Sequence, residues 1–184
     1  AHASTAIVAD YFPENKCFGL LMEQELTAIN KVLTEGEKPV TAVLGGAKVS
    51  SKITIINNIL PAIDNLIIGG GMTYTFVKAN GGKIGNSLVE DDKLELAKEI
   101  LAACEANNVK VYLPIDNIIA DDFNNEANRQ TVPSDDIPDG WMGMDVGAES
   151  SKVFAEVINN SKTILWNGPL GVFEMPNFAT GTIA

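Results

Sequence analysis

Pro39-Val40-Thr41-Ala42-Val43-Leu44-Gly45-Gly46-Ala47-Lys48-Val49-Ser50-Ser51-Lys52 decides the fold. Val40 to Leu44 is a short, almost wholly apolar run, which reads as a strand buried on both faces. Gly45-Gly46 breaks it, and Val49 to Leu60 reads as a helix. The turn between them offers free backbone N–H groups and a positive dipole end to an anion. Lys48 and Lys52 lie four apart, so a helix begun near Val49 directs both toward its N-terminal end. Solvated helix lysines fit the same spacing, but the adjoining glycines and the preceding strand favour a phosphate site.

Outward from this turn the pattern repeats. Asn65 to Ile68 is a strand opening into Gly69-Gly70-Gly71, with a helix from about Thr73 to Ala79. Gly81-Gly82 and Gly85 mark a loop. Asp91 to Asn107 is a helix with Asp91 and Asp92 in its first turn, and Val109 to Leu113 a strand stopped by Pro114. Ile118 to Ile137 is less regular and carries an excursion or short hairpin. Met144 to Val146, Glu149 to Asn159 and Thr163 to Trp166 read as strand, helix and strand. On the amino side, Gly19 to Leu33 is a helix, its Met22, Leu26, Ile29 and Leu33 at helical spacing, and Ala1 to Phe18 an irregular lead-in. Alternating strands and helices imply an α/β fold, Rossmann-like and doubly wound, with a mainly parallel sheet covered by helices on both faces.

In such a sheet, ligands bind outside the carboxyl ends of the strands. Gly45-Gly46, Gly69-Gly70-Gly71 and Gly168-Pro169-Leu170-Gly171 each follow a strand end. If those strands are neighbours, the loops gather along one crevice. Gly143 lies on the amino side of another strand. Each loop alone reads more readily as a tight turn; the recurrence points to a site.

Composition narrows the chemistry. The chain has 184 residues, 46% hydrophobic, and a net charge of -11 from 13 basic and 24 acidic residues. That balance speaks against nucleic acid or an anionic membrane as partner, but not against a nucleotide, which senses the local field. Arg129 is the only arginine and His2 the only histidine, which argues against a histidine metal centre or a Ser-His-Asp triad. Cys17 and Cys104 read as buried, reduced thiols of a cytoplasmic protein. No apolar stretch is long enough to span a bilayer and no signal peptide is evident. Asp121-Asp122 and Asp135-Asp136 read as solvated loop acids. Trp141 and Trp166 read as core residues, with the wall of a purine pocket as the alternative. Glu174, read by itself, is a helix-start acid ahead of Met175-Pro176. Neither GxxxxGK nor GxGxxG occurs, so neither of those phosphate loops is supported.

Taken together, Leu44-Gly45-Gly46-Ala47-Lys48-Val49-Ser50, Ile68-Gly69-Gly70-Gly71-Met72, Gly140-Trp141-Met142-Gly143 and Trp166-Asn167-Gly168-Pro169-Leu170-Gly171-Val172-Phe173-Glu174 resemble the phosphoglycerate kinase family, in its nucleotide-binding C-terminal half. Gly85-Asn86-Ser87-Leu88-Val89-Glu90 and Phe178-Ala179-Thr180-Gly181-Thr182 add to the resemblance, which covers essentially the whole chain. Ser51, where an acid is common, and Ala148, where proline is common, depart from the pattern. The resemblance implies a glycolytic phosphotransferase with a carboxyl acceptor, exchanging a phosphoryl group between 1,3-bisphosphoglycerate and Mg-ADP to give 3-phosphoglycerate and ATP.

The resemblance also implies roles. Gly45, Gly46 and Ala47 lie against the nucleotide, Lys48 near its phosphates, and Lys52 reaches the transferring group. Gly69, Gly70, Gly71, Met142 and Gly143 border the base. Asn167, Gly168 and Pro169 approach phosphates and ribose, Val172 packs on adenine, and Glu174 binds ribose hydroxyls. Residues 1–18 correspond to the tail end of the N-terminal domain, 19–36 to the interdomain helix, and 37–184 to an incomplete nucleotide-binding domain. Magnesium accompanies the ATP or ADP, and no metal-binding residue falls in this chain. The family's aspartate linked to magnesium lies beyond Ala184, and the basic triose-phosphate site lies on the N-terminal domain. The parent is monomeric; this piece is expected to bind nucleotide weakly and not to turn over. A non-catalytic nucleotide module and a purely structural fragment are the alternatives.

Overall fold

The computed structural model describes residues 7–184, so His2 and the first part of the lead-in lie outside the described residues. The chain forms two compact units, Ala1–Glu35 and Gly36–Ala184. In the first, a 3-10 turn at Val8–Tyr11 precedes helix α1, Leu20–Glu35. No residue of α1 is buried, and Met22, Leu26 and Ile29 present their apolar stripe to the outside. Cys17 is exposed, against the expectation of burial, because the short stretch around it has no core of its own.

The second unit runs β1 Val40–Leu44, α2 Ile53–Ile59, β2 Asn65–Ile68, α3 Thr73–Ala79, β3 Lys83–Ile84, α4 Leu94–Ala106 and β4 Lys110–Tyr112. It continues with β5 Asp116–Ala120, β6 Arg129–Pro133, β7 Asp136–Ile137, β8 Met142–Val146, α5 Ala148–Asn159, β9 Thr163–Asn167 and α6 Thr180–Ile183. β4, β2, β1 and β9 form a parallel sheet in that order. All five residues of β1 are buried, as its central place requires. Val43 stands level with Ile67 on one side and Trp166 on the other. Against this sheet α5 closes a core of Val43, Ile67, Val146, Phe154 and Leu170. Each such apolar side chain contributes about 1.5–3 kcal/mol by leaving water.

The remaining strands do not extend that sheet. β5 pairs antiparallel with both β6 and β8, with a bulge between Ile118 and Ile119, and β3 pairs with β7. The irregular stretch after Ile118 is thus a hairpin, and the strand at Met144 belongs to a second, antiparallel sheet. Gly143 lies inside β8 rather than before it. Tyr74 and Val77 of α3 pack with Ile84, Ile119 and Ile137 in a core of their own, with Trp141 half-buried against it. Trp166 is 44% exposed, not core, because β9 is the outer strand of its sheet; its indole N–H donates to the Gly168 carbonyl at 2.8 Å.

Candidate functional site

The helix expected over Val49 to Leu60 is broken in the structure. Val49–Ser51 is a 3-10 turn, α2 begins at Ile53, and Leu60–Ala62 is another 3-10 turn holding Pro61. The β-branched run Ile53-Thr54-Ile55-Ile56 lies within α2, and Pro61, with no N–H to donate, sits in the 3-10 turn that follows it. The lysines therefore do not ride one helix. Lys48 is extended, at φ -133° and ψ 129°, and Lys52 sits at the junction of the two pieces. The N–H groups at this turn are not free either: Ser50 N–H donates to Glu90 Oε2 at 3.0 Å. Lys52 Nζ donates to Asn167 Oδ1. Among the described residues neither lysine forms an ion pair.

β2, β1 and β9 are neighbours, so their three glycine loops come together at one sheet end. The Gly45 N–H donates to the Asn167 carbonyl, that of Gly69 to Leu44, that of Gly70 to Leu170 and that of Met72 to Gly46, each at 2.9 Å. The chains approach so closely that a Cβ on Gly70 would stand 2.6 Å from the Gly46 nitrogen, and Gly70 also has a φ of +70° that side chains disfavour. Gly45, Gly69 and Gly168 make the packing between loops; Gly46, Ala47, Gly70, Gly71 and Pro169 face outward from it.

Those outward residues line a cavity of about 290 Å³, together with Met142, Gly143, Val172 and Glu174. Gly45, Gly69 and Gly168 lie behind its wall, and Lys48, Lys52 and Asn167 outside it. The other walls are Tyr74, Leu88, Phe123, Met144, Leu170 and Gly171, none of which the sequence reading assigned to the site. Leu170 and Gly171 stand inside a quoted motif and Leu88 in another. Phe123 had no signal, since a long hairpin excursion brings it in. A wider depression of about 640 Å³ lies at the opposite, amino end of the strands, between Pro39, Asn65, Lys110 and Glu156. It gathers none of the candidate residues. Asp64 in it is held below the usual aspartate range by hydrogen bonds from Lys38, at 2.8 Å, and the Val40 N–H.

Beneath the cavity floor lies a buried polar group. Asp145, 1% exposed, accepts from the N–H groups of Val146 and Gly181, both at 2.9 Å. Burial pushes its carboxyl up to about 6, against the pull of those N–H groups. A Cβ on Gly171 would stand 2.1 Å from its Oδ1, so the loop after β9 packs directly on the carboxylate that binds the start of α6. Burial first, and the Asp145 charge second, keep the Tyr74 phenol far above its ordinary value. Asn117 Nδ2 donates to the Tyr74 hydroxyl at 3.2 Å, and that hydroxyl fills the space a side chain on Gly143 would take.

Asp121, Asp122, Asp135 and Asp136 are all exposed. Among the described residues no three His, Cys, Asp or Glu side chains converge as metal ligands, and Glu174 is the one carboxylate on the cavity wall. No helix among them is long and apolar enough to cross a membrane.

The family model for phosphoglycerate kinase matches residues 1–184. A phosphoglycerate kinase of Porphyromonas gingivalis is 54% identical over 185 residues, covering 100% of this chain and 44% of that protein. The structure of phosphoglycerate kinase from Coxiella burnetii superposes with a TM-score of 0.85 at 39% identity, over 90% of this chain and 42% of its own. That of the Pyrococcus horikoshii enzyme does so with a TM-score of 0.74 at 26% identity, over the same shares of 90% and 42%. The chain thus spans under half the length of the relatives it matches.

Proposed function

The chain belongs to the phosphoglycerate kinase family, and from that premise we propose that residues 37–184 are the nucleotide-handling domain of a cytosolic, glycolytic phosphotransferase. The reaction is reversible phosphoryl transfer between 1,3-bisphosphoglycerate and Mg-ADP, giving 3-phosphoglycerate and ATP. In the same reading residues 19–36 are the helix between two domains, and 1–18 the end of the first. The parent works as a monomer.

The observation that carries this reading is the meeting of three glycine loops at one cavity with Lys52 and Asn167 at its edge. A volume of about 290 Å³ is at the small end for ligand pockets and suits a nucleoside with its phosphates reaching outward. Met142, Met144, Val172, Leu88 and Phe123 give an apolar wall for a flat base. Glu174 accepts from ribose hydroxyls. Gly46, Ala47, Gly70, Gly71 and Pro169 admit the sugar and phosphates against bare backbone. Lys48 neutralises the nucleotide phosphates, and Lys52, steered by Asn167, meets the moving group. Phosphoryl transfer asks mainly for positioned positive charge, not for a protein nucleophile.

These residues do not form a cage for a resident metal, since one wall carboxylate is too few. Magnesium is therefore counted with the nucleotide, as part of the substrate. Lys48 and Lys52 beside the cavity, with the one arginine, Arg129, away on the exposed hairpin, are also too few cations there for the triose-phosphate acceptor. The 184-residue chain accordingly binds Mg-ADP and transfers nothing by itself. Calorimetry with Mg-ADP and a coupled assay with 1,3-bisphosphoglycerate test both halves: saturable binding without turnover is expected. Absence of any ADP binding, or turnover at an ordinary kinase rate of about 1–100 per second, overturns it.

A further inference from the structure

The segment Asn86–Glu90 is fastened at one end to Trp141 and Gly143 and at the other to Thr75 and Ser50. At its start, the Asn86 N–H donates to the Trp141 carbonyl at 2.8 Å. Ser87, 5% exposed, accepts from the Gly143 N–H at 2.9 Å. Leu88 lines the cavity in the middle. At its end, the Glu90 N–H donates to Thr75 Oγ1 at 3.2 Å. Its carboxylate accepts from the Ser50 N–H at 3.0 Å and from the Ser50 hydroxyl at 2.5 Å. The segment is a strap from the β8 wall to the lysine turn.

Glu90 is an unexpected residue to find there. A carboxylate held at Ser50, between Lys48 and Lys52, would ordinarily neutralise one of them, and the anion site with it. Glu90 pairs with neither among the described residues. Burial works against its charge, yet the hydrogen bonds from the Ser50 side chain, the Ser50 N–H and the Val49 N–H outweigh burial and hold the carboxyl below the usual glutamate range. The charged groups facing it are Asp92, whose like charge works against ionisation, and Lys93. The negative charge is thus spent on backbone N–H groups at the start of a helical turn, where it is favoured. The ammonium groups stay available.

We propose that Glu90 is a positioning residue that clamps the Val49–Ser51 turn, so that Lys48 and Lys52 present their charges at the phosphate end of the cavity. The proposal rests on the nucleotide reading of that cavity. It separates two effects: the strap's middle, Leu88, touches the base end, and its acidic end acts only on phosphates. Glu90→Gln keeps size and one acceptor but loses the charge.

The test titrates the 184-residue chain and its Glu90→Gln variant with Mg-ADP and with adenosine. The variant should bind adenosine as the parent chain does, bind Mg-ADP about tenfold more weakly, and melt at the same temperature. Ser50→Ala should lose less, since the backbone donors remain. Equal Mg-ADP affinity for parent and Glu90→Gln overturns the proposal, as does a parallel weakening of both ligands. Should the parent chain bind neither ligand, the nucleotide reading falls and amide hydrogen exchange decides the clamp. Protection at Val49 and Ser50 that is lost in Glu90→Gln supports it; unchanged protection overturns it.

Discussion

Gly45 and Pro169 touch through their main chains: a Cβ placed on Gly45 would stand 1.9 Å from the Pro169 carbonyl oxygen. No side-chain rotation relieves such a contact, because both partners are backbone. Gly45→Ala should therefore cost about 3 kcal/mol or more, lowering the melting temperature by several degrees. Gly19→Ala, where nothing lies within 4 Å, is the control and should leave it unchanged. Thermal melts of the two variants decide it.

On the proposed nucleotide reading, Lys52 should carry the larger share of phosphate affinity, because Asn167 holds its ammonium group while Lys48 is exposed. Lys52→Ala should weaken Mg-ADP binding about tenfold or more, given about 1.5–3 kcal/mol for a charged hydrogen bond. Lys48→Ala should weaken it less. Neither should move the melting temperature, since neither side chain is buried. Calorimetry in low salt, repeated at high salt, should show the difference shrinking with ionic strength.

Phe123 is 60% exposed on the cavity wall, so it contributes little to folding. Against a flat base, an aromatic face contributes about 1–3 kcal/mol. Phe123→Ala should then bind adenosine about tenfold more weakly with an unchanged melting curve. Undiminished adenosine affinity would place the base elsewhere.

Asp145 makes stability depend on pH with a definite sign. An ordinary aspartate titrates near 3.8, and in the folded chain this one is pushed up to about 6. The folded state therefore holds the proton more tightly, and ionisation costs stability as pH rises from about 4 to about 6. The cost is complete above that window, at about 3 kcal/mol. Asp145→Asn does not titrate. Its melting temperature relative to the parent chain should rise by several degrees between pH 4 and pH 7.5. Parallel profiles for the two proteins would sink the idea.

The thiols should separate by access. Cys17 is exposed and Cys104 buried, and burial also raises the Cys104 thiol above its ordinary value. An aromatic disulfide reagent should label one thiol in the native chain and both after denaturation.

Much of the fold was legible because its signals are local. Val40–Leu44 and Asn65–Ile68 announce central strands by apolar runs, and glycines mark where each strand must turn. Those loops become a site only because β2, β1 and β9 are neighbours, a fact of topology that spacing left open. What escaped reading depends on distant partners. The second sheet arises from pairing between β5 and β8, which no periodicity encodes. Trp166 read as core because tryptophan usually is, and an outer strand carries no mark of its place. No local residue pattern marks the break at Lys52, since the β-branched Ile53-Thr54-Ile55-Ile56 run lies within α2. Glu90 looked like one acid among 24 acidic residues until the fold brought it to Ser50.

The indole of Trp166, hydrogen-bonded to the Gly168 carbonyl, gives the molecule an optical consequence. Trp166 and Trp141 are the two tryptophans in the chain; Trp141 directly precedes the cavity-lining Met142, and Trp166 stands three residues before the cavity-lining Pro169. One emits from a solvent-facing position and the other from a half-buried one, so their spectra differ in wavelength. A ligand entering between those segments changes the surroundings of a built-in fluorophore, and occupancy becomes a colour and intensity signal without any added label.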